Sequence, residues 1–229
     1  MDYRVEKKFL ISDCELQILS GKLKTVMKPD VNQQGQGYTI RSLYFDDIWD
    51  SCMAENESGV DNRNKLRIRT YDYNAAELYL ENKEKLNGYT KKTRDVISRN
   101  DCLDIMRNIT LPYGEKPVVN TLSTAMKTRY MRPKVIIEYE RSAFVYPLGN
   151  VRITFDRNIS ASKYCEDFLS PQTRCKTPVL PAGMHILEVK YDEFLPDVIA
   201  QLLENGKMIQ TAFSKYYLGR LACEGENIY

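Results

Sequence analysis

The sequence predicts an α+β fold in which about eight antiparallel strands close into a barrel with helices on its outside, a closure that removes exposed strand edges. Three observations lead to this prediction. Charged and apolar side chains alternate with period two in several segments, as they do in half-buried strands. Amphipathic helical stretches lie between and after these segments. No internal repeat or low-complexity linker divides the 229 residues, so we expect a single domain over residues 1–229.

The first helix has the clearest local signals. Ser12 and Glu15 have the spacing of a capping box, in which each side chain satisfies a free backbone N–H at the helix start. Leu16 and Leu19 begin the apolar stripe of this helix, and Pro29 lies beyond its end. The sequence therefore predicts a helix that follows the first strand directly and packs through a leucine face.

The other elements are assigned in chain order from alternation, turn residues and helix signals. Strands are predicted at residues 3–11, 38–46, 65–73, 77–85, 89–98, 134–145, 151–156 and 186–192. Further helices are predicted at residues 48–57, 101–108, 118–129, 195–205 and 213–223. Asn87 and Gly88 form the dipeptide that a two-residue hairpin turn favours.

The faces of the predicted strands are unusually basic. Lys65, Arg67 and Arg69 share one face of a strand, and Leu66 and Ile68 share the other. A solvated outer face is the common explanation of such a pattern, but here cations recur on strand after strand while the net charge is only +2. The basic residues are segregated rather than in excess. We therefore expect them to face the lumen of the barrel, where their repulsion requires a bound polyanion.

Composition excludes several classes of protein. A nucleic-acid binder that relies on bulk charge would have a pI above roughly 9, and this chain has 33 Lys and Arg against 31 Asp and Glu. No apolar run approaches the ~20 residues of a membrane helix, and none follows Met1 as in a signal peptide. Six scattered cysteines indicate reduced thiols in a cytoplasmic protein. The single histidine, His185, is interpreted as a packing or surface residue, which disfavours catalysis by a histidine base.

The ordered motifs resemble the VTC branch, the polyphosphate polymerase domain, of the CYTH-like triphosphate tunnel superfamily. The matching segments are residues 3–9, 41–46, 65–69, 81–83, 91–94, 139–144, 151–156, 187–190 and 214–216. No single motif is specific, whereas their ordered combination over nearly the whole chain is. Many triphosphatases of the superfamily begin Glu-x-Glu-x-Lys, and Arg4 replaces the first glutamate here. This departure favours the polymerase branch.

The resemblance implies a metal-dependent phosphotransferase that adds the terminal phosphate of a nucleoside triphosphate such as ATP to polyphosphate. Phosphoryl transfer requires charge neutralisation and positioning more than a protein nucleophile. The implied catalytic residues are Arg67, Arg69, Lys83 and Glu188. The implied phosphate-binding residues are Lys8, Lys65, Lys92, Arg94, Arg141, Arg152, Lys190 and Lys215. Glu188 and Glu6 are implied to hold Mg²⁺ or Mn²⁺, hard ions that prefer carboxylate oxygen, and Glu81 and Glu138 are further candidates.

Other functions stay open at this point. A triphosphatase or nucleotide cyclase could use the same tunnel, and a non-catalytic module could bind polyphosphate. Glu188 discriminates between catalyst and binder, because a pure binder needs no metal carboxylate among its cations; an ion pair with Lys190 is the simpler explanation of this glutamate. The resemblance also allows for a separately encoded membrane-protein partner, and it leaves the oligomeric state open.

Strand parity leaves one conflict. Glu138 and Glu140 share a strand face that excludes Arg141, so these three side chains cannot all line the lumen of a regular strand. The family resemblance favours Arg141 as the inward residue.

Overall fold

The computed structural model describes residues 5–33, 35–60, 62–74, 76–86, 89–204 and 208–225. The strands are β1 (Val5–Ser12), β2 (Lys28–Pro29), β3 (Tyr38–Asp46), β4 (Arg63–Tyr71), β5 (Leu78–Leu86), β6 (Tyr89–Ile97), β7 (Arg132–Tyr146), β8 (Val151–Ser162), β9 (Thr177–Pro178), β10 (Met184–Tyr191) and β11 (Ile209–Gln210). The α-helices are α1 (Asp13–Lys24), α2 (Ser51–Glu57), α3 (Arg99–Met106), α4 (Pro117–Thr128), α5 (Asp197–Leu203) and α6 (Lys215–Glu224). Short 3-10 helices cover Leu148–Asn150 and Cys165–Leu169. The fold is therefore mixed α+β, as predicted.

The described strands form one antiparallel sheet in the order β11-β1-β10-β8-β7-β3-β4-β5-β6, with β2 paired to β7 and β9 paired to β8. This sheet is strongly curved. Strands β1 and β5 are six positions apart, which is roughly 29 Å in a flat sheet, yet Lys83 Nζ on β5 lies 3.5 Å from Glu6 Oε2 on β1. The two ends of the sheet therefore approach each other through their side chains.

The prediction of a closed eight-stranded barrel is wrong in one respect, because backbone hydrogen bonds do not close the described sheet. Among the described residues, no backbone pairing joins β6 to β1 or to β11. The ion pair between Lys83 on β5 and Glu6 on β1 connects these two parts of the sheet through side chains instead. The strand β11 contributes only two residues, and it pairs with Phe9 and Leu10 of β1.

Helices cover the apolar outer face of the sheet, as the alternation predicts. Leu66, Ile68 and Leu80 pack with residues of α3 and α4 in one core cluster. On the other half of the sheet, Phe155 and Leu187 pack with residues of α1 and α5. The charged faces of the same strands therefore point to the concave side.

Helix α6 lies on the concave side, a position that the sequence did not indicate. Its Tyr216 and Ala222 pack in one core cluster with Ile137 and other apolar residues of the inner face. A Cβ atom on Gly219 would lie 2.2 Å from Ile137 Cδ1, so the glycine permits this close approach. The helix thereby covers the apolar end of the inner face.

Local signals in the sequence are largely confirmed. The hydroxyl of Ser12 accepts a hydrogen bond from the Glu15 backbone N–H at 3.3 Å, and the Glu15 carboxylate accepts from the Ser12 backbone N–H at 2.8 Å. Strands β7 and β8 extend beyond their predicted ends. The predicted hairpin residues Asn87 and Gly88 lie outside the described residues, although β5 and β6 pair antiparallel around them.

Two further findings concern the cysteines and the helices. All six cysteines are free thiols. Within the described residues, every helix is too short or too polar to span a bilayer.

Candidate functional site

Charged side chains from seven strands and from α6 converge on the concave face of the sheet. We call this surface the lumen. Its charged residues are Glu6, Lys8, Lys65, Arg67, Arg69, Glu81, Lys83, Lys92, Arg94, Arg141, Arg152, Asp156, Glu188, Lys190 and Lys215. The structure thus brings together the residues that the sequence analysis assigned to catalysis, phosphate binding or metal binding, with the exception of Glu138.

Several basic residues of the lumen lie directly opposite one another on neighbouring strands. Lys83 on β5 is in register with Lys65 on β4 and with Lys92 on β6. On the other half of the sheet, Lys190 is in register with Arg152. Like charges that face each other across strands destabilise a sheet. Ion pairs with Glu6 and Glu81 offset part of the cost of this row of three lysines, and an anion in the lumen would offset the remainder.

Glu81 organises the first group of cations. Its Oε2 lies 2.7 Å from Arg67 NH2 and 3.9 Å from Arg69 NH1, and its Oε1 lies 2.5 Å from Lys92 Nζ. Burial alone would raise the pKa of Glu81, but Arg67, Arg69 and Lys92 lower it to about 2. Arg69 Nε also donates to Ser42 Oγ at 3.1 Å. The two guanidinium groups are therefore held in fixed planes.

Asp156 organises a second group and was not identified as a site residue from the sequence. Arg141 donates to both of its oxygens at 2.6 and 2.7 Å, and Lys215 Nζ lies 2.6 Å from Oδ2. Asp156 is fully buried, and despite that burial Arg141 and Lys215 lower its pKa. Period-two alternation from Arg152 could have found it, because the two residues share a face of β8. Its role is to hold two cations at the α6 side of the lumen.

Glu6 and Glu188 are two lumen carboxylates that share one cation. Lys190 Nζ lies 3.4 Å from Glu6 Oε2 and 2.5 Å from Glu188 Oε1. Burial and the charge of Glu188 raise the pKa of Glu6, but Lys190, Lys8 and Lys83 lower it to about 2. Burial raises the pKa of Glu188 as well, but Lys190, Arg141, Lys8 and Lys215 together outweigh burial, so this pKa is well below its usual range. Both carboxylates are therefore ionised at neutral pH.

Glu6 and Glu188 fit Mg²⁺ or Mn²⁺ only if water and phosphate supply the remaining ligands. The described residues contain no group of three or more His, Cys, Asp or Glu side chains placed to hold an ion. Mg²⁺, however, commonly keeps several waters and uses one or two carboxylates together with substrate phosphates. Glu188 and Glu6 provide two hard oxygen donors already gathered around one positive charge. The donor set is therefore compatible with an ion that binds together with phosphate.

Other predicted site residues lie towards the margins of the lumen. Arg152 Nε donates to Asp30 Oδ2 at 3.0 Å. The guanidinium of Arg94 lies over the ring of Tyr79, 5.1 Å from its centroid. Lys8 Nζ lies 3.1 Å from Glu6 Oε1 and donates to the Phe213 carbonyl oxygen at 2.9 Å.

The structure resolves the parity conflict and removes one candidate. Arg141 points into the lumen, as the resemblance favoured. The prediction of Glu138 as a helper of the metal site is wrong, because Glu138 lies on the outer face, where it accepts from Arg41 Nε at 2.7 Å and contacts Lys176. Glu140 also lies outside and pairs with Arg157 at 3.4 Å. Regular alternation along β7 accounts for all three orientations.

The expectation of a lumen too repulsive to exist without a bound anion needs correction. Glu81, Asp156 and the pair Glu6 and Glu188 each contact two or more cations. These internal counter-charges hold the cations in place, although the cations still outnumber them. The lumen is therefore a preorganised cationic surface rather than an unstable one.

Lys65 and Tyr44 both have a pKa that is lowered to about 8. Lys65 Nζ donates to Asn56 Oδ1 at 2.9 Å and to Ser214 Oγ at 3.1 Å, and burial lowers its pKa to about 8. Burial raises the pKa of Tyr44, but Arg67, which donates to its hydroxyl at 2.8 Å, and other cations lower it to about 8. As pH rises through 8, Lys65 loses its positive charge and Tyr44 becomes an anion. The net positive charge of the lumen therefore falls at both residues.

This pair predicts a pH dependence of anion binding. A bound polyanion stabilises protonated Lys65 and neutral Tyr44, so binding takes up protons above pH 8 and affinity falls as pH rises. A single such group contributes up to about tenfold per pH unit. Titration calorimetry with tripolyphosphate from pH 7 to 9.5 should show this decline. The variant Lys65→Gln should bind more weakly at pH 7 and lose part of the decline, and a flat wild-type profile would contradict the assignment.

Comparisons with known proteins agree with this architecture. Among solved structures, the chain is similar to the candidate adenylyl cyclase HpAC1 from Hippeastrum, for which a dominant triphosphatase activity is described; the TM-score is 0.59 at 16% identity over 100% of this chain and 98% of that one. It is also similar to a candidate adenylate cyclase from Bacillus halodurans, with a TM-score of 0.52 at 13% identity over 89% of this chain and 87% of that one. At such identities, the likeness shows a shared fold alone.

The sequence comparison is more direct. No curated protein matches the chain. The VTC domain family, however, matches residues 3–223, which includes every charged residue of the lumen. With this match across nearly the whole sequence, the chain belongs to the VTC domain family.

Proposed function

We propose that this protein is a polyphosphate polymerase that transfers the terminal phosphate of a nucleoside triphosphate such as ATP to a growing polyphosphate chain, with Mg²⁺ or Mn²⁺. The observation that carries the proposal is the row of Lys65, Lys83 and Lys92 across three strands. A linear polyphosphate presents repeated anionic oxygens, and it would therefore offset the repulsion along such a row. Membership of the VTC domain family supports the same assignment.

The arginines supply the directional contacts. Arg67 and Arg69 present planar donor forks that match phosphate oxygens, and Glu81 fixes both before substrate arrives. Phosphoryl transfer depends on holding attacking and leaving oxygens in line and on neutralising the charge on the transferred group. A preorganised pair of guanidinium groups does both without reorganisation during the reaction.

The other groups extend this arrangement. Arg141 and Lys215, held by Asp156, would contact phosphates at the α6 side, and the more exposed Lys83 and Lys92 would guide the chain where the two ends of the sheet approach each other. Glu188 and Glu6 would hold the divalent ion. When bound, such an ion would offset the negative charge of the phosphate groups.

The first test is ligand binding. Tripolyphosphate should raise the unfolding midpoint, because a ligand at 100 times its Kd stabilises the folded state by about 2.7 kcal/mol. For a chain of this size, that corresponds to roughly 5–10 °C. Differential scanning fluorimetry measures the shift, with sulfate at equal ionic strength as the control. An unchanged midpoint at saturating tripolyphosphate would refute a polyanion site.

A second candidate function is triphosphate hydrolysis. It is favoured by α6, which covers the apolar end of the inner face and packs closely on Ile137 through Gly219. A lumen covered at one end suits a short triphosphate better than a long chain that must pass through. The phosphorus NMR spectrum after incubation with ATP and Mn²⁺ separates the two functions, because a polymerase yields chain phosphates and a hydrolase yields orthophosphate. Binding without either product would indicate a non-catalytic binding module.

A further inference from the structure

Thr154 is a buried lumen residue whose hydroxyl is not explained by any contact within the part of the chain that the structure describes. Its side chain is only 3% exposed. The Oγ1 atom has no hydrogen-bond partner among the described residues. An unpaired buried hydroxyl costs stability, and valine would fill the same space in a strand without that cost. The hydroxyl therefore points to a partner outside the chain.

The position of Thr154 indicates what that partner is. The residue lies between Arg152 and Asp156 on the lumen face of β8, and it is in register with Glu188 on β10 and with Ala143 on β7. Ala143 carries only a methyl group and offers the hydroxyl no side-chain hydrogen-bond partner. Across the other strand, Glu188 is held by Lys190 at 2.5 Å.

We propose that Thr154 is a further phosphate-binding residue, whose hydroxyl donates to a phosphate oxygen of the polyanion beside Glu188. A hydroxyl suits this place because it donates a hydrogen bond without adding another charge to a crowded set of ions. The inference rests on the proposed function, since it requires phosphate in the lumen. The inference adds an uncharged residue, Thr154, to the lysines and arginines that are proposed to contact phosphate.

The test uses tripolyphosphate as the probe, with EDTA present so that the result does not depend on a metal. Thr154→Val removes the hydroxyl and keeps the shape of the side chain. A hydrogen bond to a charged group contributes enough that its loss should weaken the calorimetric Kd roughly 10- to 100-fold. Thr154→Ser retains a hydroxyl and should bind within about threefold of the wild type. Thr154→Ala is a second hydroxyl-free variant should valine not fold.

Stability supplies an independent readout. The ligand-free Thr154→Val protein should unfold at the same midpoint as the wild type or up to about 2 °C higher, since no internal hydrogen bond is lost. Thr70→Val is the matched control. Thr70 is also 3% exposed, but it lies on the outer face and donates to the Asn74 carbonyl oxygen at 2.7 Å. This variant should unfold about 2–4 °C lower and bind tripolyphosphate normally.

The outcomes separate the two proposals. Equal affinity in the wild type and in the hydroxyl-free variants would overturn the role of Thr154 and leave the proposed function intact. A wild type that does not bind tripolyphosphate at all would overturn both. Weakened binding in the valine and alanine variants, with normal binding in the serine variant, supports the inference.

Discussion

Glu188→Gln is expected to reduce metal-dependent turnover of ATP by roughly two orders of magnitude or more, the scale of losing a preorganised electrostatic contribution. The substitution preserves the shape of the side chain and removes its charge. Glu188 is buried and contacts Lys190 at 2.5 Å and Arg141 at 3.7 Å, so the variant lumen carries more positive charge. Binding of polyphosphate should therefore be retained or become tighter while turnover falls.

The measurement pairs a turnover assay with calorimetric titration of polyphosphate. Glu140→Gln is the matched control, because Glu140 lies on the outer face and pairs with Arg157 at 3.4 Å. This control should retain normal turnover and normal binding. Unchanged turnover in Glu188→Gln would remove Glu188 from the mechanism. Absence of turnover in the wild type with ATP, GTP and tripolyphosphate, in Mg²⁺ or Mn²⁺, would instead favour a binding module.

Arg67→Ala should behave differently and lose both binding and turnover. Arg67 is proposed to contact phosphate in the ground state and in the transition state alike, so its removal affects both. Loss of a charge-assisted contact of this kind should weaken Kd by roughly 10- to 100-fold. Arg157→Ala on the outer face is the matched control and should leave Kd unchanged.

The same variant disturbs an ion pair, which must be separated from its effect on binding. Glu81 is 1% exposed and loses its contact at 2.7 Å when Arg67 is truncated, and breaking one side of a buried pair typically costs about 3–5 kcal/mol. The double variant Arg67→Ala/Glu81→Gln also removes the carboxylate, which in Arg67→Ala would keep only Lys92 at 2.5 Å and Arg69 at 3.9 Å, and should recover much of the unfolding temperature. If the double variant binds polyphosphate as tightly as Glu81→Gln alone, the loss in Arg67→Ala is structural and Arg67 does not contact phosphate.

The sequence predicted well what depends on neighbouring residues. The Ser12 capping box is a local pattern, because its two hydrogen bonds join residues three apart. Alternation placed Arg67, Arg69 and Glu188 on one side of the sheet, because successive side chains in a strand point to opposite faces. The outward apolar faces under α1, α4 and α5 follow from the same rule.

Patterns of neighbouring residues could not predict contacts between residues that are distant in the sequence. Asp156 shared the face of Arg152, yet nothing in its neighbourhood showed that Lys215, 59 positions later, would lie 2.6 Å away. Glu138 was a further candidate for the metal, whereas it binds Arg41 and Lys176 on the outer face. These pairings depend on strand register and on where loops return, which local patterns do not contain.

The sequence by itself thus determined the α+β class, the family, and the set of cations that share the inner face, since each follows from period-two alternation or from ordered motifs. Only the tertiary structure decided how the sheet ends meet, because closure depends on the curvature accumulated over nine strands. Between the two ends of the sheet, the side chains of Lys83 on β5 and Glu6 on β1 approach to 3.5 Å. No backbone pairing joins the described strands β6 and β1. The position of α6 on the inner face was likewise a tertiary outcome, because it depends on the fit of Gly219 against Ile137.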